Sequence, residues 1–464
     1  MYDYAIYGGG PTGLILSYIL SYNGYKVVLI EKENALGGCW RTEWLEGKYF
    51  SEHSPRVLFP NHNYLIKILE NFGMDMTVEL SQKSPSGDGL TSVIKYILLR
   101  MSLSDLIKLG FLFILRNSGQ STVTEWCYNN NISKSGKKAL RTIAIALANT
   151  PDKLLMSEIV EDSIETIFNG LISEYPSMSQ FVNHDKWINI FAENITKMGV
   201  TLKMNSELVD FKLNDHNHIK SGILKDEELI QAKNHILTFP PEAFFRFMEN
   251  SSVSNNWMNI HKLKKWMLDS YYASIGFQLH FTHKIKSPKE WCWSCDNDYN
   301  LIVLDVSKFT NEISKNPIIK SVWSCTVVST DNYVRKWNKT INELDINTII
   351  NDCLKILKVK PHKITLYPGL HKKYGKYISK DTAFSLGKCG TIPYKGRISN
   401  LYTVGPHNMP GITSIGKASN SAVLFCKSHN IKIPDYLETQ SYSTKILLIL
   451  ISFAFLIYYI YYFN

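Results

Sequence analysis

Six residues near the N-terminus, Gly8-Gly9-Gly10-Pro11-Thr12-Gly13, have the types and spacing of a phosphate cradle. Gly8 permits a tight turn, and Gly10 lets a pyrophosphate approach the backbone with no Cβ in the way. Gly13 allows a helix to pack closely on a strand. Pro11 and Thr12 open that helix, whose free N–H groups and positive dipole end suit phosphate oxygens. Glu31 follows Gly13 by 18 residues, about where a carboxylate would accept hydrogen bonds from both hydroxyls of a ribose, and Lys32 stands beside it. The chemistry these residues predict is dinucleotide binding.

The elements that must position them are legible in the same stretch. Tyr4 to Tyr7 is a short apolar run, Leu14 to Tyr22 repeats apolar residues at helical spacing, and Lys26 to Ile30 reads as a second buried strand ending at Glu31. Strand, glycine turn, helix, strand and acid together are far more specific than the glycine pattern alone.

At 464 residues, with 45% hydrophobic and 20% charged residues, the chain predicts an ordered globular protein of two or more domains. A net charge of +10 without a basic, aromatic-interleaved run argues against nucleic acid and suits an anionic membrane surface better. Eight cysteines in a chain this long do not suggest a disulfide framework, and the single C-x-x-C at Cys292 and Cys295 reads as two thiols in an aromatic stretch. With the first strand beginning near residue 3, no export signal is expected. Asn131, Asn194, Asn250 and Asn338 are therefore expected to stay unglycosylated. Ile446 to Phe463 is 18 residues without a charge, preceded by Lys445 and crowded with tyrosines at its far end. At about 1.5 Å per residue it spans roughly 27 Å, enough for a thin bilayer. The expectation is a single-pass tail anchor (446–463, after a 431–445 linker) with the globular part facing the cytosol.

Beyond Glu31 comes a second glycine pair, Gly37-Gly38, then Cys39, Trp40 and Arg41. Here the chain resembles the superfamily of flavin amine oxidases, phytoene desaturases and protoporphyrinogen oxidases, in which a dinucleotide fold binds FAD and a Gly-Gly-Arg element follows the ribose acid. Cys39 and Trp40 are inserted relative to that element. The resemblance implies that Gly38 and Arg41 lie by the phosphates and that Arg56 either faces the isoalloxazine or pairs with a surface acid. It also implies that Val209 presents its backbone to the adenine. The closing motif is matched by Gly405, Ser414, Ile415 and Lys417, where a helix would point its N-terminus at the flavin pyrimidine. Lys417 would add positive charge there, or be a solvated surface lysine, the plainer reading. Pro406 stands where the family has its ribityl-binding acid, so that His407 or Asn408 would have to substitute. Tyr402 would either stand near the flavin or pack in the core. Cys389 lacks the motif of covalent attachment, so non-covalent FAD is expected.

The expected fold is thus an α/β Rossmann-type FAD-binding domain assembled from 1–80, 181–245 and 396–430. An α+β substrate domain accompanies it, helical over 81–180 and sheet-like over 246–395, and a C-terminal transmembrane helix follows. Within the substrate domain, 271–282, 301–306 and 321–328 alternate like half-buried strands. Leu106 to Leu115 is too short to span a bilayer and reads as a core helix, ahead of a membrane dip or the wall of an apolar substrate route. No second G-x-G-x-x-G appears, so electrons are expected to come from a small-molecule substrate, an amine or a lipophilic compound, rather than from a pyridine nucleotide. No catalytic base stands out. Two other readings are a flavin-dependent mutase without net redox, and a degenerate fold kept as a membrane-tethered scaffold.

Overall fold

The computed structural model describes residues 1–59, 62–81, 99–115, 119–147, 150–172, 179–270, 274–286, 292–295, 297–308, 310–379, 387–411 and 413–438. The expected anchor, Ile446 to Phe463, lies outside these residues, as does most of Ser81 to Gly89, a Ser/Gly/Pro-rich stretch whose composition predicts a boundary link. Among them, no helix is long and apolar enough to cross a membrane.

A five-stranded parallel sheet carries the glycine turn. Its order is Leu401–Thr403, Ala232–Leu237, Tyr2–Tyr7, Val27–Ile30 and Thr201–Lys203, with Ala5 opposite both Val28 and His235. Val27–Ile30 is apolar at every position and buried at every position, as befits a parallel strand covered on both faces. The helix Pro11–Tyr22 lies on this sheet beside the helices Lys186–Lys197 and Ile415–Ser428, and Trp187, Ile188, Phe191 and Ile195 form the inner face of the second. A small antiparallel sheet, Leu208–Leu213, Ile219–Leu224 and Leu229–Ile230, extends the same lobe.

The second large sheet is antiparallel, in the order Cys292–Cys295, Leu301–Asp305, Ser321–Val328, Ser274–Phe281, Lys363–Leu366. Alternation predicts half-buried strands here, yet Ser274–Phe281 and Ser321–Val328 are buried at all positions. The reason is that the polar side of the alternation meets protein rather than water. Gln278 donates to the Glu52 carbonyl at 2.7 Å, and Gly276 is so close to the His53 carbonyl that a Cβ would collide with it. The apolar spacing of Ile341 to Leu357 predicts a helix over 340–359, and the helix formed is shorter: Asp345 caps Thr348 N–H and starts it at Ile346–Leu357.

Between the first and second passes through the nucleotide lobe, the helices Leu103–Leu115, Val123–Asn129, Lys134–Ala146 and Met156–Ile172 gather around their own core of Leu109, Leu112, Trp126, Leu140 and Met156. The bridges Leu58 to Ser179 and Leu80 to Phe181 tie the returning chain to the segment that led into this insertion. Leu103–Leu115 is only half a core helix, since Leu103, Ile107 and Phe111 face outward.

Candidate functional site

The glycine turn has the geometry its residue types allow. Gly8 sits at φ +113°, a conformation that favours glycine, and Thr238 Oγ1 donates to its carbonyl at 2.8 Å. A Cβ on Gly13 would run into that carbonyl, so the bare backbone is what lets helix and strand lie this close. Over Gly10 the space is open: among the described residues, none but its chain neighbours comes within 4 Å of where a Cβ would sit. Gly38 walls one side of the gap, since a Cβ on it would stand 3.2 Å from the Gly10 Cα, and Gly37 N–H donates to the Gly9 carbonyl at 2.8 Å. Two glycine pairs from separate stretches of the sequence form one backbone trough at the N-terminus of Pro11–Tyr22.

Glu31 is buried at the end of its strand. Its carboxylate accepts Gly9 N–H at 2.7 Å and Glu33 N–H at 2.9 Å, which leaves about two of its four lone-pair sites for ribose hydroxyls. Beside it opens a cleft of ≈ 290 Å³ lined by Lys32, Asn205, Ser206, Glu207, Lys225 and Asp226. Val209 is the extra residue of a β-bulge, between the pairs Leu208–Leu224 and Asp210–Ile223. Its backbone therefore stands outside the regular ladder.

At the other end, Thr12 Oγ1 donates to the Ala418 carbonyl at 3.3 Å, so the helices Pro11–Tyr22 and Ile415–Ser428 run with their N-termini side by side. Ser414 caps the second by accepting Lys417 N–H at 3.2 Å. Pro406 opens a short 3-10 turn, and both residues expected to replace the missing acid are committed elsewhere. Asn408 accepts Gly405 N–H at 2.8 Å and donates to the Ile392 carbonyl at 3.0 Å. His407 is fully buried, 2.9 Å from Thr403 Oγ1 and stacked on Phe244. Tyr402 packs in the core against Phe425 and His429.

Lys417 is not a surface lysine. It is 7% exposed, with Nζ 3.2 Å from Asp162 Oδ1. Burial pulls its pKa down, but Asp162 and Glu165 outweigh that and hold it above the usual lysine value, so it is charged. The acids come from the insertion helix Met156–Ile172, where Glu158, Asp162 and Glu165 recur at one helical face. Glu158 is pushed up to about 7 by burial, against hydrogen bonds from Leu155 N–H at 2.9 Å and Gly411 N–H at 3.2 Å. His62 packs over Gly416, and burial, aided by the Lys417 charge, lowers it to about 3, so it is neutral. Sequence reasoning missed this acidic face, although its four- and three-residue spacing is the signal that could have found it.

Two arginines brace the backbone beside the trough. Arg41 binds Glu43 at 3.0 Å and the Ala35 carbonyl at 3.2 Å, which braces the second glycine pair from outside. Arg56 pairs with an acid, but a buried one, Glu52, at 2.6 Å, and also donates to the carbonyls of Arg41 at 2.7 Å and Cys39. It fixes the segment that follows Gly38. Glu52 Oε1, Arg56 Nε and His53 Nδ1, and both amide atoms of the buried Gln180, have no hydrogen-bond partner among the described residues. Orphaned polar atoms of this kind, with an open glycine trough and an available ribose acid, fit a polar dinucleotide bound through this lobe. Gly8, Gly10, Gly13, Gly38 and Glu31 could hold the diphosphate and a ribose of such a dinucleotide, and the Ser414–Lys417 helix start could meet its other end.

A model of the NAD(P)-binding Rossmann-like domain matches residues 6–72. Over 73 residues the chain is 29% identical to the UDP-galactopyranose mutase of Mycoplasma pneumoniae, a match that covers 15% of this chain and only 18% of the mutase. Over most of its length the fold is similar to that of putrescine oxidase, at 14% identity, 93% of this chain, 99% of that one and a TM-score of 0.61. It is also similar to that of the CLA-producing fatty acid isomerase from P. acnes, at 13% identity, 92% and 98% coverage and a TM-score of 0.57. At these identities the two structures are similar to this chain in fold.

Proposed function

We propose that this protein is an FAD-dependent oxidoreductase of the amine oxidase type. In this reading it takes a hydride from an amine or lipophilic substrate and is tethered to a membrane by residues 446–463, its globular part facing the cytosol. The observation that carries the reading is the convergence of two helix N-termini, at Gly10 and Ser414, joined by Thr12 and flanked by the Gly10–Gly38 trough and Glu31. Bound non-covalently, FAD supplies the hydride acceptor, N5. The chain supplies position and charge. The trough and Glu31 anchor the adenosine diphosphate, while Lys417 and the helix end favour negative charge at the pyrimidine side. Asp162 and Glu165 both act on the single Lys417 at that end, so acid outnumbers base there, which suits a cationic amine better than an acidic lipid.

The test is the absorbance spectrum of purified full-length protein. A flavin spectrum, FAD released on denaturation, bleaching by an amine and recovery in air are expected. Protein that is colourless and cannot be loaded with FAD overturns the reading. The match to a mutase over the N-terminal unit favours a second reading, flavin chemistry without net redox. Turnover only after chemical reduction, with no oxygen consumed, would select it.

A further inference from the structure

The insertion helix Leu103–Leu115 uses only one face for packing. Leu109 and Leu112 enter the core, and buried Asp105 accepts Ser133 N–H at 3.0 Å as well as the Ser133 hydroxyl, which clamps this helix to the start of Lys134–Ala146. The opposite face carries Leu103, Ile107 and Phe111 at four-residue intervals, 51%, 51% and 59% exposed, and Leu99 precedes them in the same spacing at 68%. Single exposed leucines are ordinary, but three large apolar side chains in a row on one helix face, with a fourth just ahead of the helix, are not.

The surroundings select what covers the row. Described residues 99–147 include six basic residues, Arg100, Lys108, Lys134, Lys137, Lys138 and Arg141, against two acids. Of the two acids, Asp105 is buried and Glu125 pairs with Lys388 while capping Thr122 N–H. Tyr128 is 75% exposed with Lys137 Nζ 5.9 Å from its ring centre. An apolar stripe within a basic stretch that also exposes a tyrosine has the composition of a segment lying in a membrane interface. The chain outside the described residues includes the uncharged stretch 446–463, which ends one residue before the last.

We propose that this face contacts an anionic lipid bilayer, with Leu99, Leu103, Ile107 and Phe111 in the acyl boundary and the flanking lysines and arginines on the headgroups. The contact orients the globular lobe on the membrane that the tail reaches, and the tether raises its effective concentration there. It shares the tether with the proposed function but not the flavin chemistry.

The test is amide hydrogen exchange on the full chain reconstituted in phosphatidylcholine vesicles with and without phosphatidylserine. Amides of 103–113 are expected to exchange about tenfold more slowly when phosphatidylserine is present. Ile107→Asp/Phe111→Asp should abolish the difference while exchange across Met156–Ile172 stays unchanged, because both positions are exposed. Lys137→Glu/Lys138→Glu should weaken it without touching the stripe. Equal exchange on the two vesicle types overturns the proposal, as does a difference that survives in the aspartate variant. Protection that rises with protein density on phosphatidylcholine alone also overturns it, since a second copy would then be the cover. Flavin content, read on the same samples, is independent of all these outcomes.

Discussion

Gly10 and Gly13 belong to the same turn and should fail in opposite ways. A methyl group at Gly13 meets the Gly8 carbonyl, whereas one at Gly10 meets no protein atom. Gly13→Ala is therefore expected to lower the unfolding free energy by about 1–3 kcal/mol or more, as overpacking against backbone does. Gly10→Ala, at a φ of −74° that alanine accepts, should leave the urea midpoint near that of the parent and weaken FAD retention instead. Equal loss of stability in both would contradict the open trough. This stretch is readable from sequence because strand, turn, helix and acid are local. The role of Arg56 is not, because its partners' carbonyls are placed by a fold-back and have no sequence signature.

At the level of elements, the informative contact is the insertion helix Met156–Ile172 against the start of Ile415–Ser428. Asp162 and Lys417 are 255 positions apart (417 − 162), so no local pattern joins them. Asp162→Asn removes a buried counter-charge and should cost on the order of 3 kcal/mol, while the double variant with Lys417→Met should recover part of it. Urea unfolding of the four proteins measures this coupling. Glu158 gives a pH signature. Its folded value of about 7 lies above the ordinary glutamate value of 4.5, so its contribution is full below pH 4.5 and is lost as pH rises through 7. The stability difference between the parent and Glu158→Gln should shift by on the order of 3 kcal/mol across that window, against the parent at the high end. A difference that is flat with pH would show that Glu158 is not buried as protonated acid. The alternation of Ser274–Phe281 correctly marks a strand, but does not tell water from the Glu52–His53 backbone as the partner of its polar side.

Over the whole molecule, histidines enclosed by the fold dominate the acid response. Desolvation lowers His53, His62, His235 and His407 to about 3 and His280 to about 4. A depressed folded pKa gives stability that is complete above the unfolded value near 6.5 and disappears as pH falls toward 3. The urea midpoint is expected to drop steadily from about pH 6.5 to about pH 4, with these histidines overriding the opposite contribution of Glu158. A midpoint constant over that range would mean these rings are hydrated. Lobe order and the helical insertion can be inferred from composition and motif. The outward stripe of Leu103, Ile107 and Phe111 cannot, since apolar residues occur all round this helix and do not say which of its faces meets protein.

The central sheet also sets a schedule. Tyr2–Tyr7 pairs with Ala232–Leu237, which in turn pairs with Leu401–Thr403. At about 5–20 residues per second, the opening strand leaves the ribosome roughly 10–50 s before its neighbour has been made, and the outermost strand is later still. Throughout that interval the apolar edges of Tyr2–Tyr7 and Val27–Ile30 are without their lasting company, so nascent chains depend on chaperone cover, and cooler, slower expression should raise the soluble yield.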